Sequence, residues 1–125
     1  MAADRVLILD DDPVVGLVLV LGVQACGFEA QLCAEPDELL AAVRQGAASH
    51  VVVDLSLRQG SGQQVLRQLA ALGCRARVVI CSGAERAELD NALALAAALG
   101  LATAGVLVKP FRQAELRALL LPAAP

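Results

Sequence analysis

Acidic residues gather in this chain where apolar runs stop. Val6-Leu7-Ile8-Leu9 leads into Asp10, Asp11 and Asp12, and Val51-Val52-Val53 leads into Asp54. One ammonium answers them. Of the ten basic residues nine are arginine, and the one lysine, Lys109, closes the apolar run Ala104-Gly105-Val106-Leu107-Val108 just before Pro110 and Phe111. A fourth run, Val78-Val79-Ile80-Cys81, ends in the hydroxyl of Ser82. Carboxylates brought to one place repel one another unless a cation sits among them. A hard, oxygen-rich site with open positions suits Mg²⁺, which keeps several waters and takes its other ligands from carboxylates and phosphate. Carboxylates with a fixed ammonium describe a site for a divalent metal and a phosphoryl group.

Each group also has a plainer reading. Asp12 before Pro13 makes a good N-cap and first-turn pair, and capping accounts for it fully. Asp10 and Asp11 are more acids than one cap needs. No helix follows Asp54 directly, so capping explains it poorly. Ser82 before Gly83 also fits turn chemistry. Lys109 would be an odd surface lysine between a buried strand and Pro-Phe. The joint occurrence at matching places carries the weight.

The elements that must position these groups follow from the spacing of apolar runs. Strands are expected at Arg5 to Leu9, Phe28 to Cys33, His50 to Val53, Arg77 to Cys81 and Gly105 to Val108. Four are nearly continuous apolar runs, as in strands covered on both faces; the second is mixed, as at a sheet edge. Helices are expected over Pro13 to Cys26, Asp37 to Gln45, Gly62 to Leu72, Arg86 to Leu99 and Gln113 to Leu120. Gly27, Gly46, Gly73 and Gly100 fall where helices should end, in left-handed C′ positions. Strict alternation of five strands and five helices makes a doubly wound α/β domain with a parallel sheet. In such sheets ligands bind beyond the carboxyl ends of the strands, near the point where strand order reverses. All the polar residues above fall on that edge.

Composition excludes several classes. A chain of 125 residues is sized for one domain. With 58% hydrophobic and 18% charged residues it is globular. A net charge of −3 and only two aromatic residues, Phe28 and Phe111, leave no footprint for nucleic acid. Cys26, Cys33, Cys74 and Cys81 lack the paired spacing of a zinc site and read as small buried hydrophobes. No secretory signal precedes Asp4, and the apolar run Val14 to Val23 is too short to span a bilayer, so a cytoplasmic location without membrane insertion is expected.

Taken together, Val6-Leu7-Ile8-Leu9-Asp10-Asp11-Asp12-Pro13, Val52-Val53-Asp54-Leu55, Ile80-Cys81-Ser82-Gly83 and Val108-Lys109-Pro110-Phe111 resemble the CheY-like receiver domain of two-component response regulators. The resemblance runs from about Arg5 to Leu120. It implies a receiver domain over 1–121, a tail or linker start over 122–125, and a flavodoxin-like five-stranded sheet of order 2-1-3-4-5. Asp54 would be the phosphoacceptor. Asp11, Asp54 and the backbone carbonyl of Ser56 would hold Mg²⁺, with Asp10 helping through a water. Lys109 would pair with Asp54 at rest and with a phosphoryl oxygen afterwards. The Ser82 hydroxyl and the backbone N–H groups of Leu55 and Gly83 would be further phosphoryl donors. Implied partners are a sensor histidine kinase or histidine phosphotransfer protein, and an output domain in the same chain or a separate effector. The chain would be a signalling phosphoacceptor and not an enzyme.

The chain departs from the family pattern in places. Val106 stands where an aromatic switch residue is usual, and Arg58 where a proline is usual. The stretch from Ser82 to Lys109 is several residues longer than usual. That extension resembles receivers attached to cyclic-di-GMP phosphodiesterase domains. Ser56 and Ala84, two places beyond the acceptor and the hydroxyl, are expected to influence phosphate lifetime. The first helix is apolar on nearly every side, and Ala92 to Leu101 is bare of charge. Either deep burial or a partner surface accounts for them, such as a kinase-docking face or a homodimer through the first helix or the face built by the fourth helix, fifth strand and fifth helix.

Other readings compete. Asp10-Asp11-Asp12 after a strand also resembles haloacid-dehalogenase-type phosphatases, which need a further acidic motif after their lysine and give Asp54 no role. A degenerate receiver binding partners without phosphorylation would need a broken site. No Gly-x-x-x-x-Gly-Lys loop exists for a P-loop enzyme.

Overall fold

The computed structural model describes residues 4–46, 48–57, 61–83 and 86–121. Arg58, Ala84 and the 122–125 tail, each singled out by the sequence, lie outside these described residues. Five strands alternate with five helices: β1 (Arg5–Leu9), α1 (Pro13–Ala25), β2 (Glu29–Cys33), α2 (Pro36–Gln45), β3 (His50–Asp54), α3 (Gly62–Ala71), β4 (Arg77–Ser82), α4 (Arg86–Ala98), β5 (Thr103–Val108) and α5 (Gln113–Leu120). The sheet is parallel throughout, in the order β2-β1-β3-β4-β5. The expected topology is therefore present, with the mixed second strand at an edge.

Side-chain alternation divides the core between the two faces of the sheet. Leu7, Leu9, Val51, Val53, Val78 and Ile80 pack under α2, α3 and α4, while Val6, Ile8, Val52, Val79, Cys81 and Leu107 pack under α1 and α5. Because β1, β3 and β4 are covered on both faces, their apolar runs have no polar position until they reach the site. That arrangement aligns Asp10, Asp54 and Ser82 along one edge.

Several helix ends follow their local chemistry. The Asp12 side chain accepts hydrogen bonds from the N–H groups of Val14 and Val15, capping α1 as expected. Gly27, Gly73 and Gly100 have positive φ. Gly46 does not: its φ of −169° is extended. The chain leaves α2 straight, so the expected left-handed turn is not used there.

The extra length before Lys109 is partly absorbed within the sheet. Val78 pairs with Thr103 and Val79 with Gly105, so Ala104 is an additional residue in β5. Such a bulge re-aims the strand that follows it. Gly105, at φ 142°, carries the irregularity, and a Cβ there would stand 2.8 Å from the Leu119 side chain. Among the described residues no helix is long and apolar enough to cross a membrane.

Candidate phosphoacceptor site

The chain reverses its direction of travel across the sheet between β1 and β3, and the crevice lies at their carboxyl ends. Asp10 is held there by its own backbone, whose N–H donates to the Cys33 carbonyl at 3.1 Å. Its Oδ1 accepts the Asp12 N–H at 2.9 Å, so the acidic triplet turns in a fixed way. Asp54 ends β3 with one carboxylate oxygen, Oδ1, accepting the Ser56 N–H at 2.9 Å. Carboxylate oxygens of Asp10, Asp11 and Asp54 all lie within 4.8 Å of one another. Asp10 and Asp54 are buried and Asp11 is half-buried.

Lys109 reaches this cluster from β5. Its backbone N–H donates to the Ser82 carbonyl at 3.0 Å, which extends the β4–β5 ladder by one residue. From there its Nζ lies 3.3 Å from Asp54 Oδ2 and 3.2 Å from Asp10 Oδ2. The Lys109–Pro110 peptide is cis. The lysine side chain keeps 21% exposure, against 0% and 2% for its two partners.

The electrostatics are those of a crowded acidic pocket around one cation. Burial alone would lower the Lys109 pKa, but the charges of Asp54 and Asp10 outweigh it and hold the ammonium above its ordinary value. For Asp10 burial dominates and raises the pKa. The Asp12 N–H opposes this, the Asp54 charge adds to it, and Lys109 opposes it again. One ammonium does not fully compensate this group of carboxylates. The deficit is what a divalent cation would relieve, so the donor set fits Mg²⁺.

Ser82 is fully buried at the end of β4, and its Oγ lies 3.2 Å from Ser56 Oγ. One of the expected backbone donors, Leu55, already has a partner. Leu55 N–H donates to the Cys81 carbonyl at 2.9 Å, because the β3–β4 ladder continues past Asp54. As the chain stands, that N–H is occupied, and among the described residues the Ser56 N–H is a main-chain donor to Asp54. Gly83 follows Ser82 at the surface, beside Lys109.

Gly62 is a positional residue that sequence reasoning used only to start a helix. A Cβ there would lie 2.8 Å from Leu55 Cα and 2.9 Å from the Asp54 carbonyl oxygen. Backbone cannot yield as a side chain can, so only glycine lets α3 begin this close beneath the end of β3. A glycine eight residues after the aspartate was the available signal.

The model of the response regulator receiver domain matches residues 6–121. The chain belongs to this family. Solved receiver structures superpose along nearly its whole length. A response regulator from Colwellia psychrerythraea is 25% identical, with 95% of this chain and 94% of that chain covered and a TM-score of 0.81. The chemotaxis protein CheY4 of Vibrio cholerae is 22% identical, over 95% and 97%, with a TM-score of 0.82. The receiver domain of the sensor histidine kinase PA1611 from Pseudomonas aeruginosa, solved with magnesium coordinated in its active-site cleft, is 22% identical, over 95% of each chain, with a TM-score of 0.80. No curated protein sequence matches significantly. This receiver domain thus has the strand order and the edge of acidic, hydroxyl and lysine side chains that its sequence implied. The phosphatase reading gains nothing from these relatives.

Proposed function

We propose that this receiver domain accepts a phosphoryl group on Asp54 from a phosphohistidine of a sensor kinase or phosphotransfer protein. The observation that supports it most is Lys109 Nζ standing between Asp54 and Asp10, at 3.3 and 3.2 Å, inside a cluster of three carboxylates. An Asp54 carboxylate oxygen attacks phosphorus; the new O–P bond forms as the N–P bond to imidazole breaks, and the imidazole leaves with the electron pair. Phosphoryl transfer through a loose transition state asks chiefly for alignment and charge stabilisation. Lys109 is already aligned on Asp54 and can follow the charge onto a phosphoryl oxygen. The buried Ser82 hydroxyl, on the strand that pairs with β3, is the further phosphoryl donor we assign.

Asp11, Asp54 and the Ser56 carbonyl are the groups we assign to Mg²⁺, with Asp10 acting through a water. Bound there, the metal would neutralise charge on the transferring group. The chain turns over no external substrate in this reading; its chemistry is confined to its own phosphorylation and dephosphorylation in the cytoplasm. The output is a domain of the same chain or a separate effector, reached through the Ser82 loop and the face of α4, β5 and α5. A cyclic-di-GMP phosphodiesterase as that output rests on sequence resemblance alone. The exposed apolar side of α1, which starts beside the acidic cluster, is the face we assign to the phosphodonor.

The test is phosphorylation itself. With Mg²⁺ and acetyl phosphate the native chain gains one phosphoryl mass, and Asp54→Asn does not. Absence of any Asp54-dependent gain overturns the reading, and steady hydrolysis of small phosphate esters would favour the phosphatase instead.

A further inference from the structure

One residue touches both halves of the switch. The Ser56 N–H donates to Asp54 Oδ1 at 2.9 Å, while the Ser56 hydroxyl lies 3.2 Å from the Ser82 hydroxyl. Sheet register makes this possible: Asp54 lies beside Cys81, which brings Ser82, the last residue of β4, near Ser56, two residues past the end of β3. We propose that Ser56 is a positioning residue whose hydroxyl holds Ser82 in its resting orientation and so sets how readily the phosphoryl group captures it. This rests on Asp54 being the phosphoacceptor.

The Ser82 backbone cannot travel freely. Its carbonyl accepts the Lys109 N–H, and the residue is fully buried. Its Oγ therefore changes partner mainly by rotating about the Cα–Cβ bond, among a few staggered positions. A serine hydroxyl has one proton to donate. Whichever hydroxyl donates in the Ser56 contact, Oγ occupies one rotamer at a time, so the position that meets Ser56 and the one that donates to a phosphoryl oxygen exclude each other. Phosphorylation adds roughly −1.5 to −2 charge and three strong acceptors at Asp54, so the charged partner wins. The neutral Ser56 contact is a tax on that rotation. Ser56 is exposed, so its hydroxyl can turn to water once Ser82 leaves.

Removing the tax should favour the activated state by about 2- to 10-fold, the net worth of one neutral hydrogen bond. The measurement is a beryllofluoride titration with Mg²⁺ on the full chain, followed through the amide resonances of Ser82 and Gly83. Ser56→Ala should reach half-saturation at about 2- to 10-fold lower beryllofluoride. Ser56→Thr, which restores a hydroxyl, should return toward native. In a Ser82→Ala background the Ser56→Ala gain should vanish. Unchanged or weaker binding by Ser56→Ala overturns the proposal, as does an equal gain in the Ser82→Ala background. If the native chain shows no response that Asp54→Asn abolishes, the phosphoacceptor reading fails and takes this one with it. A native response with no Ser56 effect sinks the Ser56 role alone. Ser56→Ala keeps the backbone N–H on Asp54, and its amide spectrum reports whether the fold is intact.

Discussion

Lys109 was legible in the sequence as the counter-ion of Asp54, but its second partner was not. The resemblance gives Asp10 an indirect role at the metal; in the structure it also shares the ammonium directly, at 3.2 Å. Distance along the chain hides such a pairing, since 99 residues separate the two. His50 is a second case. It begins β3, is buried, and carries an Nε2 without a hydrogen-bond partner, while Nδ1 faces Ser49 Oγ at 2.9 Å. Burial, reinforced by the Arg77 charge and opposed by Asp4, lowers its pKa below 6.5. A lowered pKa means the unfolded chain binds the proton more tightly. The stability His50 allows is complete above pH 6.5 and is lost as pH falls from there through the folded value. Urea unfolding of the native chain should therefore weaken between pH 7 and about 5 more steeply than that of His50→Gln. Parallel pH profiles for the two would show that His50 is not the group titrating.

Among the elements, α1 separates two explanations that the sequence left open. Its apolar residues could have been deeply buried. Instead Leu19 and Val23 are buried against the sheet, while Val14, Leu17, Val18 and Leu21 are 51% to 71% exposed. Spacings of three and four residues put those four on one outward stripe. The charge-free stretch from Ala92 to Leu101 differs in what it shows to solvent: Ala92 and Ala96 of α4 and Leu101 beyond it are buried, and the exposed helical positions are small alanines, Ala94, Ala97 and Ala98. Composition cannot make this distinction, because a helix apolar all round has no moment to say which side faces the sheet. Leu19→Ala should cost about 2–5 kcal/mol in a denaturant titration. Leu17→Gln should stay within about 0.5 kcal/mol of native. A large loss at Leu17 would mean that its side chain is buried, in the monomer or against a second copy. Val106, the missing aromatic, is half-buried beside a groove of about 510 Å³ lined by Arg86, Leu89, Asp90, Leu93 and Val108. Valine has no ring to swing between outward and inward positions there. Any relay through α4 and β5 must use displacement of the strand or loop.

For the whole molecule, a metal bound at the acidic edge would be linked to folding. A cation that binds the folded cluster and not the unfolded chain stabilises by about 2.7 kcal/mol at one hundred times its Kd. For a domain of this size that is a rise in Tm of roughly 10 °C. Mg²⁺ should raise the native Tm, and Asp11→Asn should remove most of the rise. An equal shift in both would assign the effect to salt in general. By itself the sequence determined the alternation of strands and helices, the edge position of β2 and the polar residue ending each central strand. Those are local properties: a strand covered on both faces must be continuously apolar, so its first polar residue marks where it leaves the core. Tertiary structure alone decided which of those polar groups meet. Lys109 between Asp10 and Asp54, Ser56 against Ser82, the Leu55 N–H held by Cys81 and Gly62 beneath Asp54 all depend on strand order and register. Neighbours in the sheet are distant in the chain, and no local pattern encodes the distance between them.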